Sequence, residues 1–92
     1  MSDLDKAIFD AVFSLMKDKR LDVSEDTPLM GDGRVLDSMT LVELCLTLED
    51  MATELGFEFD WTSETAMSRS RSMFRTAGAL ADEFHAQKEA AT

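Results

Sequence analysis

Leu36-Asp37-Ser38-Met39-Thr40-Leu41-Val42-Glu43-Leu44 is the stretch on which the reading of this chain turns. Upstream lies a turn-rich segment, in which Gly31-Asp32-Gly33 permits positive φ and a tight reversal. Downstream begins the most hydrophobic helical pattern in the protein. Asp37 and Ser38, at the junction, are both good N-cap types. The first amides of a helix lack intrahelical partners, and the macrodipole makes that end favourable for anions. Ser38 can therefore cap the helix or carry an anionic group, and local chemistry by itself favours the cap.

The pattern predicts a central helix over residues 38–55, ended by Gly56 at a C′ position. Spacing its residues at 100° separates two faces. Leu41, Leu44, Cys45, Leu48, Met51, Ala52 and Leu55 fall on one broad side, the expected core. Cys45 there reads as a buried, inert thiol, and as the one cysteine it allows no intramolecular disulfide. Met39, Val42 and Leu46 fall on the other side, interleaved with Glu43, Glu49 and Asp50. They either form a docking surface or cover the preceding loop or a neighbouring helix.

On the N-terminal side, residues 3–17 read as a helix. Leu4, Ile8, Val12 and Leu15 form its stripe, and Phe9, Phe13 and Met16 widen the apolar face. Ser2 or Asp3 suits its start, while Lys17, Lys19 and Arg20 suit its end. Residues 21–36 form a long connection in which Val23, Leu29, Met30, Val35 and Leu36 can pin the chain to the core. Its acids lack the spacing of a calcium loop, and no metal site is expected.

On the C-terminal side, Phe57-Glu58-Phe59-Asp60-Trp61 reads as an extended segment that lays its aromatics on the helices. A short helix follows over about 63–68, opened by Thr62 or Ser63 with Glu64 in its first turn. Ser68-Arg69-Ser70-Arg71-Ser72, with Arg75 close behind, reads as a loop that concentrates positive charge. The bland interpretation is a solvated loop neutralising nearby acids; the others are pairing with the acidic helix, holding the phosphate of a group carried on Ser38, or partner selection. A last helix over about 76–88 has Thr76 as N-cap and Phe74, Ala77, Leu80, Ala81 and Phe84 as its apolar face. His85 is expected at the surface or an edge, and residues 89–92 are expected to fray.

Ninety-two residues with 45% hydrophobic content suffice for one domain with a real core. The formal net charge of −10 is the wrong sign for nucleic acid or for an anionic membrane surface, and suits encounters with basic partners. Between Val35 and Ser68 there are eight acids and no Lys or Arg. Met1-Ser2-Asp3 opens acidic and no long apolar span follows, which predicts a cytoplasmic protein without membrane insertion. One His, one Cys and no base placed to activate Ser38 predict that the chain is not itself an enzyme.

Asp37-Ser38-Met39, then Leu41-Val42-Glu43-Leu44, then Leu48-Glu49-Asp50 resembles the attachment motif of acyl carrier proteins. The resemblance runs from about Leu4 to Phe84, with its specific residues at the centre. In that family the serine is esterified by 4′-phosphopantetheine from coenzyme A, whose thiol holds a carboxylic acid as a thioester. It implies an all-α chain, a four-helix bundle of acyl-carrier type with three longer helices and a short third one. It also implies attachment at Ser38 between Asp37 and Met39, and partner docking through Val42, Glu43, Leu46, Glu49 and the neighbouring Asp50. The implied partners are a phosphopantetheinyl transferase, an acyl- or aminoacyl-loading ligase and downstream acyl-using enzymes; a monomer is the default expectation.

Val35-Leu36 stands where many fatty-acid carriers have a small residue before the Asp. The Leu-Asp-Ser-Met form is closer to D-alanyl carriers and to unusual stand-alone bacterial carriers. The span before the last helix is also longer than in ordinary fatty-acid carriers. Cargo is therefore open between fatty acyl, which predicts a cavity among Met39, Leu44, Leu48 and Met73, and aminoacyl, which needs little cavity. The competing function is an acidic helical adaptor that docks a basic partner without any prosthetic group, with Ser38 as a cap.

Overall fold

A computed structural model describes residues 3–17, 20, 22–30 and 35–91, without the side chains of residues 65, 67 and 69–71. Expectations placed on Ser2, Lys19, Leu21, Gly31, Asp32, Gly33 and Thr92, and on the side chains of Arg69 and Arg71, lie outside the described residues. Regular structure among the described residues is helical: α1 (Asp3–Leu15), α2 (Ser38–Leu55), α3 (Glu64–Met73) and α4 (Ala77–Ala91). An isolated antiparallel bridge joins Pro28 to Thr76. The all-α expectation and the bounds of α2 agree with this arrangement.

Helix α1 packs on α2 and α4, and α3 packs on α4. Ile8 and Val12 of α1, Leu44 and Leu48 of α2, and Leu80 and Phe84 of α4 are fully buried at the centre. A fully buried side chain of this kind contributes about 1.5–3 kcal/mol relative to exposure. The radius of gyration is 12.3 Å, which matches the roughly 12 Å of a compact chain of this length.

Helix α1 stops at Leu15, two residues short of the expected end. The Met16 amide bonds the Phe13 carbonyl at 3.2 Å, a tightened last turn that lets Met16 drop into the core. Phe13 was expected in that core and is exposed. It lies roughly 100° round the helix from Val12, past the edge of the buried face. Met30, expected to pin the loop, is likewise exposed, and Leu29 takes the buried position beside it.

Helix α2 ends in a Schellman motif. Gly56 has φ 90°, its amide bonds the Thr53 carbonyl at 3.1 Å, and the Phe57 amide bonds the Ala52 carbonyl at 3.0 Å. The reversal carries Phe57 into the core and leaves Leu55, expected to be buried, exposed in the last turn. Residues 57–61 are extended, as expected. Phe57 and Phe59 both meet Phe84, with ring centroids 5.1 and 5.3 Å away. The Gln87 side chain completes the segment's backbone bonding: its Oε1 accepts from the Asp60 amide at 2.6 Å and its Nε2 donates to the Asp60 carbonyl at 2.8 Å.

Ser63 caps α3, its Oγ accepting from the Ala66 amide at 3.1 Å. The helix then runs to Met73 rather than ending near Ser68, so the serine–arginine run is helical and not a loop. Residues 64–73 contain neither Gly nor Pro, and Arg, Met and Ala are good helix formers, so charge does not interrupt the helix. Phe74 is buried but lies in the link before α4. At the far end α4 continues to Ala91, beyond the expected stop at 88, on alanine-rich sequence of high helical propensity. His85 is half-buried, its Nε2 2.7 Å from Asp5 Oδ1, joining α4 to the start of α1.

The long connection is fixed by the unpaired amides at the start of α4. Thr76 Oγ1 accepts from the Ala79 amide at 3.1 Å, which makes Thr76 the N-cap as expected. The Ala77 and Gly78 amides donate to the Thr27 and Glu25 carbonyls at 2.8 and 2.9 Å. Thr27 is buried, and its hydroxyl accepts from the Ser24 amide at 2.7 Å. This approach requires Gly78: a Cβ there would sit 2.8 Å from the Glu25 carbonyl oxygen.

Gly78→Ala in an unhindered helix would stabilise by about 0.5–1 kcal/mol. Here it is expected to destabilise by about 1–3 kcal/mol through overpacking. Urea unfolding measures the sign directly, and a stabilised variant would mean that the loop does not seat on α4.

Candidate functional site

The approach to α2 shows how the junction divides its tasks. Asp37 is extended, at φ −84° and ψ 177°, and its carbonyl accepts the Leu41 amide at 2.9 Å. Its Oδ1 accepts from the Thr40 amide at 2.8 Å and from the Thr40 hydroxyl at 2.6 Å. Asp37 is therefore the N-cap. Ser38 is the first residue of the helix and is exposed. Among the described residues its hydroxyl makes no hydrogen bond, so a primary alcohol is left free at the surface.

The two bonds from Thr40, side chain first and backbone second, hold the Asp37 carboxyl below its usual value, and Lys17 lowers it further. Lys17 Nζ lies 3.6 Å from Asp37 Oδ2. It comes from just beyond the end of α1. Leu15, Lys17, Val35, Leu36, Asp37 and Thr40 line an open cleft of about 210 Å³ there, beside the start of α2.

Thr40 and Lys17 were missed at the sequence level. The Asp37–Thr40 spacing is that of an N-cap and its N3 partner, and so was readable. Lys17 stands twenty positions before Asp37, and only tertiary packing brings the two together.

Beyond the junction, α2 carries the exposed stripe anticipated from its periodicity. Met39 is 79% exposed, Val42 45% and Leu46 49%. Glu43 and Asp50 are exposed and Glu49 is half-buried. Met39 is thus almost wholly uncovered, and Val42 and Leu46 each leave about half of their surface open. Glu49 and Asp50 also line a wider cleft of about 640 Å³ with Thr53, Glu58, Phe59, Asp60 and Thr62, between the end of α2 and the extended segment.

Two further expectations meet the geometry. Cys45 is 1% exposed, and burial, with Glu49 adding to it, pushes its thiol up to about 12. It is a packed side chain without thiolate reactivity at neutral pH. Met39 stands apart from the cavity foreseen among Met39, Leu44, Leu48 and Met73, since the other three are buried and Met39 is exposed. Nine residues at 3.6 per turn set Met39 and Leu48 about 180° apart, on opposite faces.

Among the described residues no helix is long and apolar enough to cross a membrane, and no three His, Cys, Asp or Glu side chains group as metal ligands. Compared with known proteins, the chain matches no family model, no curated protein and no solved structure.

Because the Asp37 carboxyl titrates below its unfolded value, its stabilising effect is full above the usual value of 3.8 and is lost as pH falls through the lower folded value. Asp37→Ala is therefore expected to lower thermal stability at neutral pH, with the gap to the native protein closing in strong acid. Paired melting curves across the acid range measure that gap, and one that stays constant would remove Asp37 from the cap.

Proposed function

We propose that this protein is a carrier that holds an acyl or aminoacyl group as a thioester on 4′-phosphopantetheine attached to Ser38, and delivers it to partner enzymes. The observation that carries the reading is the division of labour at the start of α2. Asp37 performs the capping, and the Ser38 hydroxyl stands exposed and uncommitted in a motif resembling that of acyl carriers. In the adaptor reading Ser38 is the cap, and that role is filled by its neighbour. The residues fit the group, which needs a surface alcohol at a helix end tolerant of negative charge.

In this reading the four helices form a carrier-type bundle, with the arm at one end of α2 and the recognition stripe along it. The arm supplies the thiol that holds a carboxylic acid. This chain supplies the tether point, the rigid helix start and the docking surface, and partner enzymes do the chemistry. Tethering converts delivery into a local event and raises the effective concentration of cargo. Met39, Val42 and Leu46 offer apolar contact beside Glu43, Glu49 and Asp50. Basic side chains on the phosphopantetheinyl transferase, the loading ligase and acyl-using enzymes pair with those acids. Exposed pairs are individually worth under about 1 kcal/mol, so such contacts form fast, weaken with salt and release readily. The protein acts in the cytoplasm as a monomer, without membrane or nucleic-acid partners.

Incubation with coenzyme A, magnesium and a broad-specificity phosphopantetheinyl transferase is expected to add one phosphopantetheine to the native chain. Ser38→Ala should receive none while keeping its helical circular dichroism, because Asp37 still caps α2. Intact-protein mass spectrometry gives the answer. Loss of helix in Ser38→Ala, or addition to both proteins, would contradict the assignment.

A further inference from the structure

We propose that Lys17 positions the arm's phosphate, so that the prosthetic group leaves Ser38 along the α1 side, into the cleft lined by Leu15, Lys17, Val35, Leu36, Asp37 and Thr40. This inference rests on the carrier reading of Ser38. It starts from a charge problem. A phosphodiester on Ser38 carries a negative charge and lies next to the Asp37 carboxylate, itself held ionised by Thr40. Neighbouring anions repel, and a cation close to both lessens that repulsion beyond what the helix start supplies. The sequence has no Lys or Arg from Val35 to Ser68, and among the described residues the cation shown beside Asp37 is Lys17, from just beyond the end of α1.

Lys17 is so placed. Its ammonium lies 3.6 Å from Asp37 Oδ2, the carboxylate oxygen that does not serve the cap. The contact is longer than a charge-assisted hydrogen bond of about 2.7–2.9 Å. The side chain is 89% exposed on a flexible stem. It can turn toward a phosphate on the adjacent residue while the Asp37–Thr40 cap stays intact. The walls suit the rest of the arm: Leu15 and Val35 are half-buried and Leu36 is buried, an apolar surface next to the ammonium. The exposed stripe of Met39, Val42 and Leu46 then stays free for partners.

The test compares apo and holo forms of the native protein, Lys17→Ala and Lys17→Arg, with mass confirming one addition on each. The phosphorus resonance and the backbone amide spectrum are then recorded at low salt. Holo formation in the native protein should shift amides at Leu15, Lys17, Val35 and Leu36 as well as at the start of α2. Lys17→Ala should move the phosphorus resonance and abolish the shifts at 35 and 36, and Lys17→Arg should restore both. Identical holo spectra for all three, or shifts confined to α2 and α3, would overturn the α1-side path while leaving the carrier reading standing. Absence of any addition to the native chain would overturn both.

Discussion

A helix start presents amides that must find acceptors, and this fold turns on how two such starts are satisfied. At α4 the acceptors are backbone carbonyls of the long connection, Thr27 and Glu25, with the Thr76 hydroxyl beside them. The loop is thereby clamped to the first turn of α4, and Gly78 is the residue that allows the approach. At α2 the acceptor is a side chain, Asp37, with Thr40 supplying both donors. The first arrangement fixes the connection that leads into α2; the second leaves the residue after the cap without a structural duty.

That separation gives the junction its functional character. A serine used as the cap would, once esterified, offer the helix amides a poorer and more crowded acceptor. With the cap supplied one residue earlier, the hydroxyl of Ser38 is open to chemistry. The helix beyond it faces two ways. Leu44, Cys45, Leu48 and Ala52 hold it to the core, while Met39, Val42 and Leu46 stand exposed among acids. One rigid element thus places an exposed serine hydroxyl beside an uncovered surface of apolar and acidic side chains.

Much of this was legible locally. The bounds of α2, the Gly56 terminus, the Thr76 cap and the aromatic packing of residues 57–61 follow from turn chemistry and periodicity, which act within a few residues. The serine–arginine run misled because its composition looks like a solvated loop. Helix continuation there depends on the absence of Gly and Pro and on the packing of α3 against α4. Phe13, Met30 and Leu55 lie at the margins of buried faces, where a small change in direction decides exposure and periodicity does not resolve it. Lys17 beside Asp37, Asp5 beside His85 and Gly78 against Glu25 are tertiary facts, and no local pattern announces them.

In the carrier reading proposed above, Ser38, with the cap supplied by Asp37, holds the cargo. The most direct measurement is the mass of the chain isolated from its own cells, with fragmentation to locate any added group. A carrier bears a phosphopantetheine on residue 38, with or without an acyl or aminoacyl group at its end. A chain unmodified at residue 38 throughout, or modified only elsewhere, would contradict that reading.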